Sequence, residues 1–357
     1  MSNGLMIRSR TGPYRAAFDD AALQNLNEAP LEGLHFIIDT RVAELYANDM
    51  GNILASPSVL LIEAREDNKS LEKMPGYVAH LVGQSLRRDH TLIAIGGGII
   101  QDITCFLAST MLRGVDWQFY PTTLLAQADS CIGSKSSINS GHAKNILGTF
   151  APPRQVAISG SFLKTLDERD IRSGVGEMIK VHVIDGPGSF DDIAADYLRI
   201  IAEPGVMADY IHRALTIKQR YIEEDEFDRG ARNIFNYGHS FGHAIEAATD
   251  FAIPHGIAVT IGMDLANYMS WQLGNGSADN YLRMHPLMKR NYTGFETVPV
   301  PQQPFLDALS KDKKNVGTGS AALILVDDKG GVAKDNYKTD DAFRDHCHDY
   351  LTRERLA

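Results

Sequence analysis

Hydrophobic periodicity changes once along this chain, and the change sets its architecture. As far as Leu166, short apolar runs alternate with helical patterns: Leu34 to Ile38 and Val59 to Ile62 read as strands, and Pro75 to Leu86 as a helix leading to the strand Thr91 to Ile95. That rhythm predicts a parallel sheet with crossover helices. Beyond Leu166 the pattern becomes long amphipathic helices, Met207 to Glu224, Arg232 to Ala248 and Gly256 to Leu273, with one late strand, Ala321 to Val326, assigned to a small hairpin. The expected fold is an α/β N-terminal domain with a parallel sheet (residues 1–166) and a mainly α-helical C-terminal domain (167–357), divided near Asp167. A chain of 357 residues is long enough for two cores.

Charge and composition narrow the function. A net charge of -10 opposes general nucleic-acid binding, because a phosphate backbone needs a basic surface, although local basic pockets for small phosphates remain open. No run approaches the roughly 18 apolar residues of a membrane span. Cys105, Cys131 and Cys347 are odd in number and without paired spacing, which fits free thiols in a reducing compartment, and Met1 to Arg15 has no apolar core of a signal peptide. The reading is a cytoplasmic protein with a small-molecule substrate.

Several motifs carry chemistry. The strand Thr91 to Ile95 runs into Gly96-Gly97-Gly98-Ile99-Ile100-Gln101-Asp102 and a helix, a turn that lets backbone approach a pyrophosphate at a helix N-terminus, though without the G-x-G-x-x-G spacing of the usual dehydrogenase fingerprint. On a helix Arg232 to Ala248, the residues Arg232, Asn236, His239 and His243 fall on one stripe about 60° wide. His255 follows in a loop, so that His239 and His255 can meet at one divalent ion, for which imidazole suits zinc. Spacing does not name a third ligand; Glu177, three residues before Lys180, is one candidate carboxylate. Asp129 to Lys135, with Lys144-Asn145, could bind an anion and a sugar hydroxyl. Lys218 carries no signal alone, and the acidic run Glu223 to Glu226 reads as a solvated face.

Taken in order, the motifs Glu66-x-x-Lys69-Ser70, Gly96-Gly97-Gly98 with Asp102, Met111 to Gly114, Pro121 to Gln127 with Asp129, Lys135, Lys144-Asn145, Leu163 to Arg169, Glu177-x-x-Lys180, Asn236 to His243 and His255-Gly256 resemble the 3-dehydroquinate synthase family, the sugar phosphate cyclases. The resemblance implies a metal, zinc or else cobalt, on Glu177, His239 and His255, with NAD in the cleft between lobes. It implies NAD contacts from Asp39, Glu66, Lys69, Gly97, Gly98, Asp102, Thr122, Thr123, Lys144, Thr165 and Leu166. The phosphate group would be met by Lys135, Asn145, Asn236 and His243, with Arg113 reaching a neighbouring subunit's site in a homodimer. Lys218 and Arg232 match positions that receive a substrate carboxylate, with Lys313 or Lys314 adding a contact. His243 is the proton-transfer candidate, and Lys180 and Asp129 would orient substrate oxygens.

The implied activity removes phosphate from a seven-carbon keto-acid sugar phosphate and closes a carbocycle through transient oxidation by NAD. Gln101, Arg41, Ser134-Lys135-Ser136 and Ile257 depart from the family pattern; the first two bear on cofactor affinity and on NAD against NADP. The alternatives are a cyclase for a neutral sugar phosphate such as sedoheptulose 7-phosphate, a metal-dependent polyol dehydrogenase, which would accumulate NADH, and a catalytically inactive scaffold. Arg232 and Lys218 favour the acidic substrate.

Overall fold

The computed structural model describes residues 4–141, 143–311 and 319–357. Lys313 and Lys314 therefore lie outside the described residues. The chain divides into two compact units, Met1–Asp167 with Lys218–Asp228, and Glu168–Ile217 with Arg229–Ala357.

The first unit is built on strands β1 (Gly4–Ile7), β2 (Tyr14–Phe18), β3 (Leu34–Asp39), β4 (Val59–Ile62), β5 (Thr91–Gly96) and β6 (Asp116–Pro121). A hairpin follows, β7 (Lys135–Ser140) and β8 (Ala143–Phe150), then β9 (Gln155–Ile158). The main sheet runs β1-β2-β9-β6-β5-β3-β4, parallel throughout except for the β1 edge, while β7 and β8 pair separately. Between the strands lie α1 (Ala22–Glu28), α2 (Thr40–Leu45), α3 (Gly51–Leu54), α4 (Met74–Gly83) and α5 (Gly98–Thr110). The central strands β3 and β5 are apolar on both faces, as a doubly covered parallel sheet requires, and Phe36, Ile38, Ile93 and Ile95 pack with Leu23, Leu26, Val42 and Ile53 of the helices and with Met50. Each such side chain stabilises the unit by about 1.5–3 kcal/mol relative to exposure.

The edge hairpin β1–β2 was not anticipated, because Arg8, Ser9 and Arg10 interrupt its apolar signal. Its partner comes from far along the chain. Glu223 accepts from Arg8, and Glu226, largely buried, accepts from the Ser9 hydroxyl (2.6 Å) and the Arg10 N–H (2.9 Å). The acidic run is thus not simply a solvated face.

The second unit contains α6 (Glu168–Asp185), α7 (Pro187–Ala202), most of α8 (Pro204–Glu224), α9 (His239–Ala248), α10 (His255–Gln272), α11 (Ala278–Tyr292), α12 (Gln302–Ser310), the hairpin β10 (Ser320–Val326) with β11 (Val332–Lys338), and α13 (Asp341–Asp349). The parallel-sheet α/β unit and the helical unit, with only a small hairpin, agree with the fold read from the sequence. α10 is buried from Gly256 to Ser270, so it has no solvent stripe and forms the unit's axis. Among the described residues no helix is long and apolar enough to cross a membrane.

One expected element is corrected. The helix predicted over Arg232 to Ala248 is two pieces, a 3-10 turn Ala231–Asn236 and α9, separated at Gly238 in the left-handed region (φ 76°). A Cβ on Gly238 would lie 2.4 Å from Met263 Cγ and 2.8 Å from the Val259 carbonyl oxygen, so the chain breaks where it presses on α10. Arg232 and Asn236 do not share a helical stripe with His239 and His243.

Candidate active site

In the second unit, α6 supplies Glu177 and Lys180, the N-terminus of α9 supplies His239 and His243, and the first residue of α10 is His255. His239 Nε2 lies 3.7 Å and His255 Nε2 3.5 Å from Glu177 Oε1. Two ligands on one tetrahedral zinc, with bonds of about 2.0–2.2 Å, would stand about 3.3–3.6 Å apart. The Glu177 side chain is 1% exposed, yet Oε1 has no hydrogen-bond partner. A buried carboxylate oxygen without a donor is costly, and a cation between it and the two imidazoles removes that cost. The residues fit a divalent metal.

Their neighbours set the donor atoms. His239 Nδ1 faces the Tyr237 carbonyl at 3.2 Å, and His255 Nδ1 faces both oxygens of Glu246 at 3.2 Å. Each contact places the proton on Nδ1 and turns the Nε2 lone pair toward Glu177. Burial pushes the His255 pKa down, but the hydrogen bond and charge of Glu246, joined by Glu177, outweigh it and leave the value raised. Lys180 Nζ holds the other Glu177 oxygen at 2.5 Å, a buried pair rather than a surface one. His243 is exposed, and ligand nitrogens of His239, His243 and His255 all lie within 4.8 Å of one another. Spacing had not revealed Glu246 as a partner of His255, although it continues the helical series His239, His243, Glu246.

In the first unit, several of the other predicted residues lie at or just after the carboxyl ends of parallel strands. Asp39 ends β3 and caps α2 by accepting from the Arg41 N–H (3.0 Å); burial raises its pKa. Gly97 and Gly98 follow β5, and Thr122 and Thr123 follow β6. A Cβ on Gly97 would sit 3.0 Å from the Thr123 methyl, while around Gly98 the space is open, which exposes the first N–H groups of α5, unassisted by any side-chain cap. Lys69, buried after β4, donates to Asp102 (2.9 Å) and Asn145 (2.8 Å) and lies 3.6 Å from Glu66. Burial raises the Asp102 pKa against the opposing charge of Lys69. Asn145, expected at a phosphate, accepts from Lys69 at its Oδ1 and adopts positive φ (52°) on β8 beside the exposed Lys144. Thr165 bonds the Tyr46 hydroxyl (3.0 Å), next to Leu166.

Also in this unit, Lys218 pairs with Asp129 (2.9 Å) and donates to its carbonyl (2.6 Å), and Lys135 pairs with Asp228. Asp228, 93 positions away, had no sequence signal. Arg113 follows Leu112, both at positive φ, in a turn after α5. Arg232, in the second unit, is buried, and Asn236 donates to the Asn233 carbonyl.

A parallel sheet with a glycine turn into a helix in one unit, and a Glu–His–His cluster in the helical other, define an enzyme of the nucleotide- and metal-site class. The 3-dehydroquinate synthase N-terminal model matches residues 59–173 and the C-terminal model residues 174–315. A 3-dehydroquinate synthase of Campylobacter curvus (strain 525.92) is 34% identical over 90% of this chain and 93% of its own length. Among solved structures, 2-deoxy-scyllo-inosose synthase complexed with carbaglucose-6-phosphate, NAD+ and Co2+ superposes with TM-score 0.82 at 20% identity, covering 98% of this chain and 99% of its own. The 2-epi-5-epi-valiolone synthase ValA of Streptomyces hygroscopicus subsp. jinggangensis 5008, with NAD+ and Zn2+ bound, reaches 0.81 at 25% identity, covering 96% and 97%. The chain belongs to the 3-dehydroquinate synthase family.

Proposed function

We propose that this protein is a 3-dehydroquinate synthase-type cyclase that eliminates phosphate from a seven-carbon keto-acid sugar phosphate, with NAD and one divalent metal. The single observation that carries the metal assignment is the buried, donorless Glu177 Oε1 facing two imidazole nitrogens. Bound there, zinc or cobalt would act as a Lewis acid on a substrate oxygen. NAD would supply the reversible oxidation that acidifies the neighbouring C–H.

The chain's own groups do the rest. Residues 1–166 form the NAD-binding part, with the open α5 N-terminus at Gly97 and Gly98 meeting the pyrophosphate and Asp39, Glu66, Lys69, Asp102, Thr122, Thr123, Lys144, Thr165 and Leu166 around the nucleotide. Residues 167–357 bind metal and substrate. His243, on the exposed side of the cluster, moves the proton at the reacting hydroxyl, while Lys180 and Asp129 orient substrate oxygens. Lys135, Asn145, Asn236 and His243 hold the phosphate, and Lys218 and Arg232, both buried cations, receive the carboxylate. The enzyme works as a cytoplasmic homodimer in which Arg113 serves the neighbouring site, and its three buried free cysteines are in keeping with a reducing compartment.

The cyclases that share this fold are named for different products, so the fold does not choose the substrate; the buried Arg232 favours the acidic one. The test is phosphate release from the keto-acid phosphate and from sedoheptulose 7-phosphate by protein supplied with metal and NAD. Release only from the neutral sugar would overturn the substrate, and NADH accumulating without phosphate would overturn the cyclase reading.

A further inference from the structure

Glu177 and His255 belong to two helices, α6 and α10, so their separation is fixed by how those helices cross. The crossing is backbone on backbone. Gly176 precedes Glu177 and Gly256 follows His255; a Cβ on Gly176 would lie 2.3 Å from the Gly256 carbonyl oxygen and 2.5 Å from Thr260 Oγ1, and one on Gly256 would lie 1.8 Å from the Ser173 carbonyl oxygen. With no side chains interlocking at that point, shape alone resists sliding poorly.

Hydrogen bonds take over that task. The Gly256 N–H, a helix-start donor without an intrahelical partner, donates to Ser173 Oγ of α6 (2.9 Å). Thr260 Oγ1 donates to the Gly256 carbonyl (2.7 Å) and accepts from Asn291 Nδ2 (2.9 Å). Asn291 Nδ2 also donates to the Arg172 carbonyl (3.2 Å), its Oδ1 accepts from the Tyr197 hydroxyl (3.1 Å), and its own carbonyl accepts from Arg172 Nε and Nη2 (2.9 and 2.7 Å). Thr260 and Asn291 are both 0% exposed. One amide thus ties α11 to α6, α7 and α10 one helical turn from the two ligands. Generic packing would be served as well by apolar residues of the same size; a fully satisfied polar network instead admits one register.

We infer that Ser173, Thr260 and Asn291 are positioning residues that fix the spacing of Glu177 and His255 and thereby the affinity of the metal site. This rests on the metal assignment above. The experiment is zinc competition against a chromophoric chelator with metal-stripped full-length protein. Thr260→Val keeps the shape and removes the hydroxyl; the expected result is zinc affinity weakened about 10–100-fold with an unchanged circular dichroism spectrum, the range typical for losing groups that orient metal ligands. Thr260→Ser, which retains the hydroxyl, should bind zinc within about 3-fold of the unsubstituted protein. A folded Thr260→Val protein that binds zinc as tightly as the original, even with a lower melting temperature, would overturn the inference by reducing the network to ordinary structural support. If Thr260→Val does not fold, Ser173→Ala, which removes only the Gly256 N–H acceptor, carries the same expectation. Failure of the unsubstituted protein to bind zinc would instead sink the metal assignment, and this inference with it.

Discussion

Acid should weaken the second unit through His182. This residue of α6 is 1% exposed, both ring nitrogens lack hydrogen-bond partners, and its ring meets Tyr210 edge-on at 5.3 Å. Burial pulls its pKa from 6.5 down to about 4; Asp185 and Asp192 resist that fall and Arg213 adds to it. Between those values the unfolded chain binds the proton and the folded chain does not, so stability is fully present above 6.5 and drains away as the pH falls toward 4. At about 1.4 kcal/mol per pH unit the complete loss is about 3 kcal/mol, of which about 2 kcal/mol falls between pH 7 and 5. Against a total of roughly 5–15 kcal/mol that is a large share. His182→Phe keeps an aromatic ring against Tyr210 and cannot protonate. Urea unfolding at the two pH values, followed by Trp271 in a Trp117→Phe background so that the only tryptophan reports on the second unit, should show the variant losing about 2 kcal/mol less than its parent. An identical loss in both proteins would refute the reasoning.

Other perturbations test neighbouring features. His285 contacts the fully buried Asp264 at 2.9 Å; burial lowers its pKa, but the Asp264 hydrogen bond and charge outweigh this and leave it raised, so its stabilising effect is present at low pH and lost as pH rises through the folded value. His285→Gln should flatten the decline of melting temperature as pH rises above 6.5. Gly256→Ala drives a methyl into the Ser173 backbone and should cost at least about 1–3 kcal/mol in denaturant unfolding; a neutral result would mean α6 and α10 are not in backbone contact. Glu246→Ala removes the acceptor on His255 Nδ1 and should weaken zinc binding about 10–100-fold in chelator competition, with Glu246→Gln retaining most of it.

Much of this was readable in the chain, and the parts that were not share a cause. Strands β3, β4 and β5 declare themselves because both faces are apolar, and His239, His243 and His255 because imidazoles rarely cluster without purpose. The broken helix at Gly238 was missed since helical periodicity runs through it; only contact with α10 forces the left-handed turn. Likewise Asp228 opposite Lys135, Glu226 under the N-terminal strands, and Asn145 at Lys69 are pairings across long sequence separations, which no local pattern encodes.

In the proposed metal site, Lys180 bears on which ion is selected. By holding Glu177 Oε2, it leaves the carboxylate one oxygen to offer, in a cluster whose other candidate donors are imidazole nitrogens. Calcium wants six to eight oxygens and magnesium a near-ideal octahedron of them. An abundant hard cation finds little here, whereas a scarce borderline one finds its preferred partners. If the proposed metal site holds, this buried lysine favours zinc without touching it, and Lys180→Met should narrow the preference for zinc over magnesium in a direct competition.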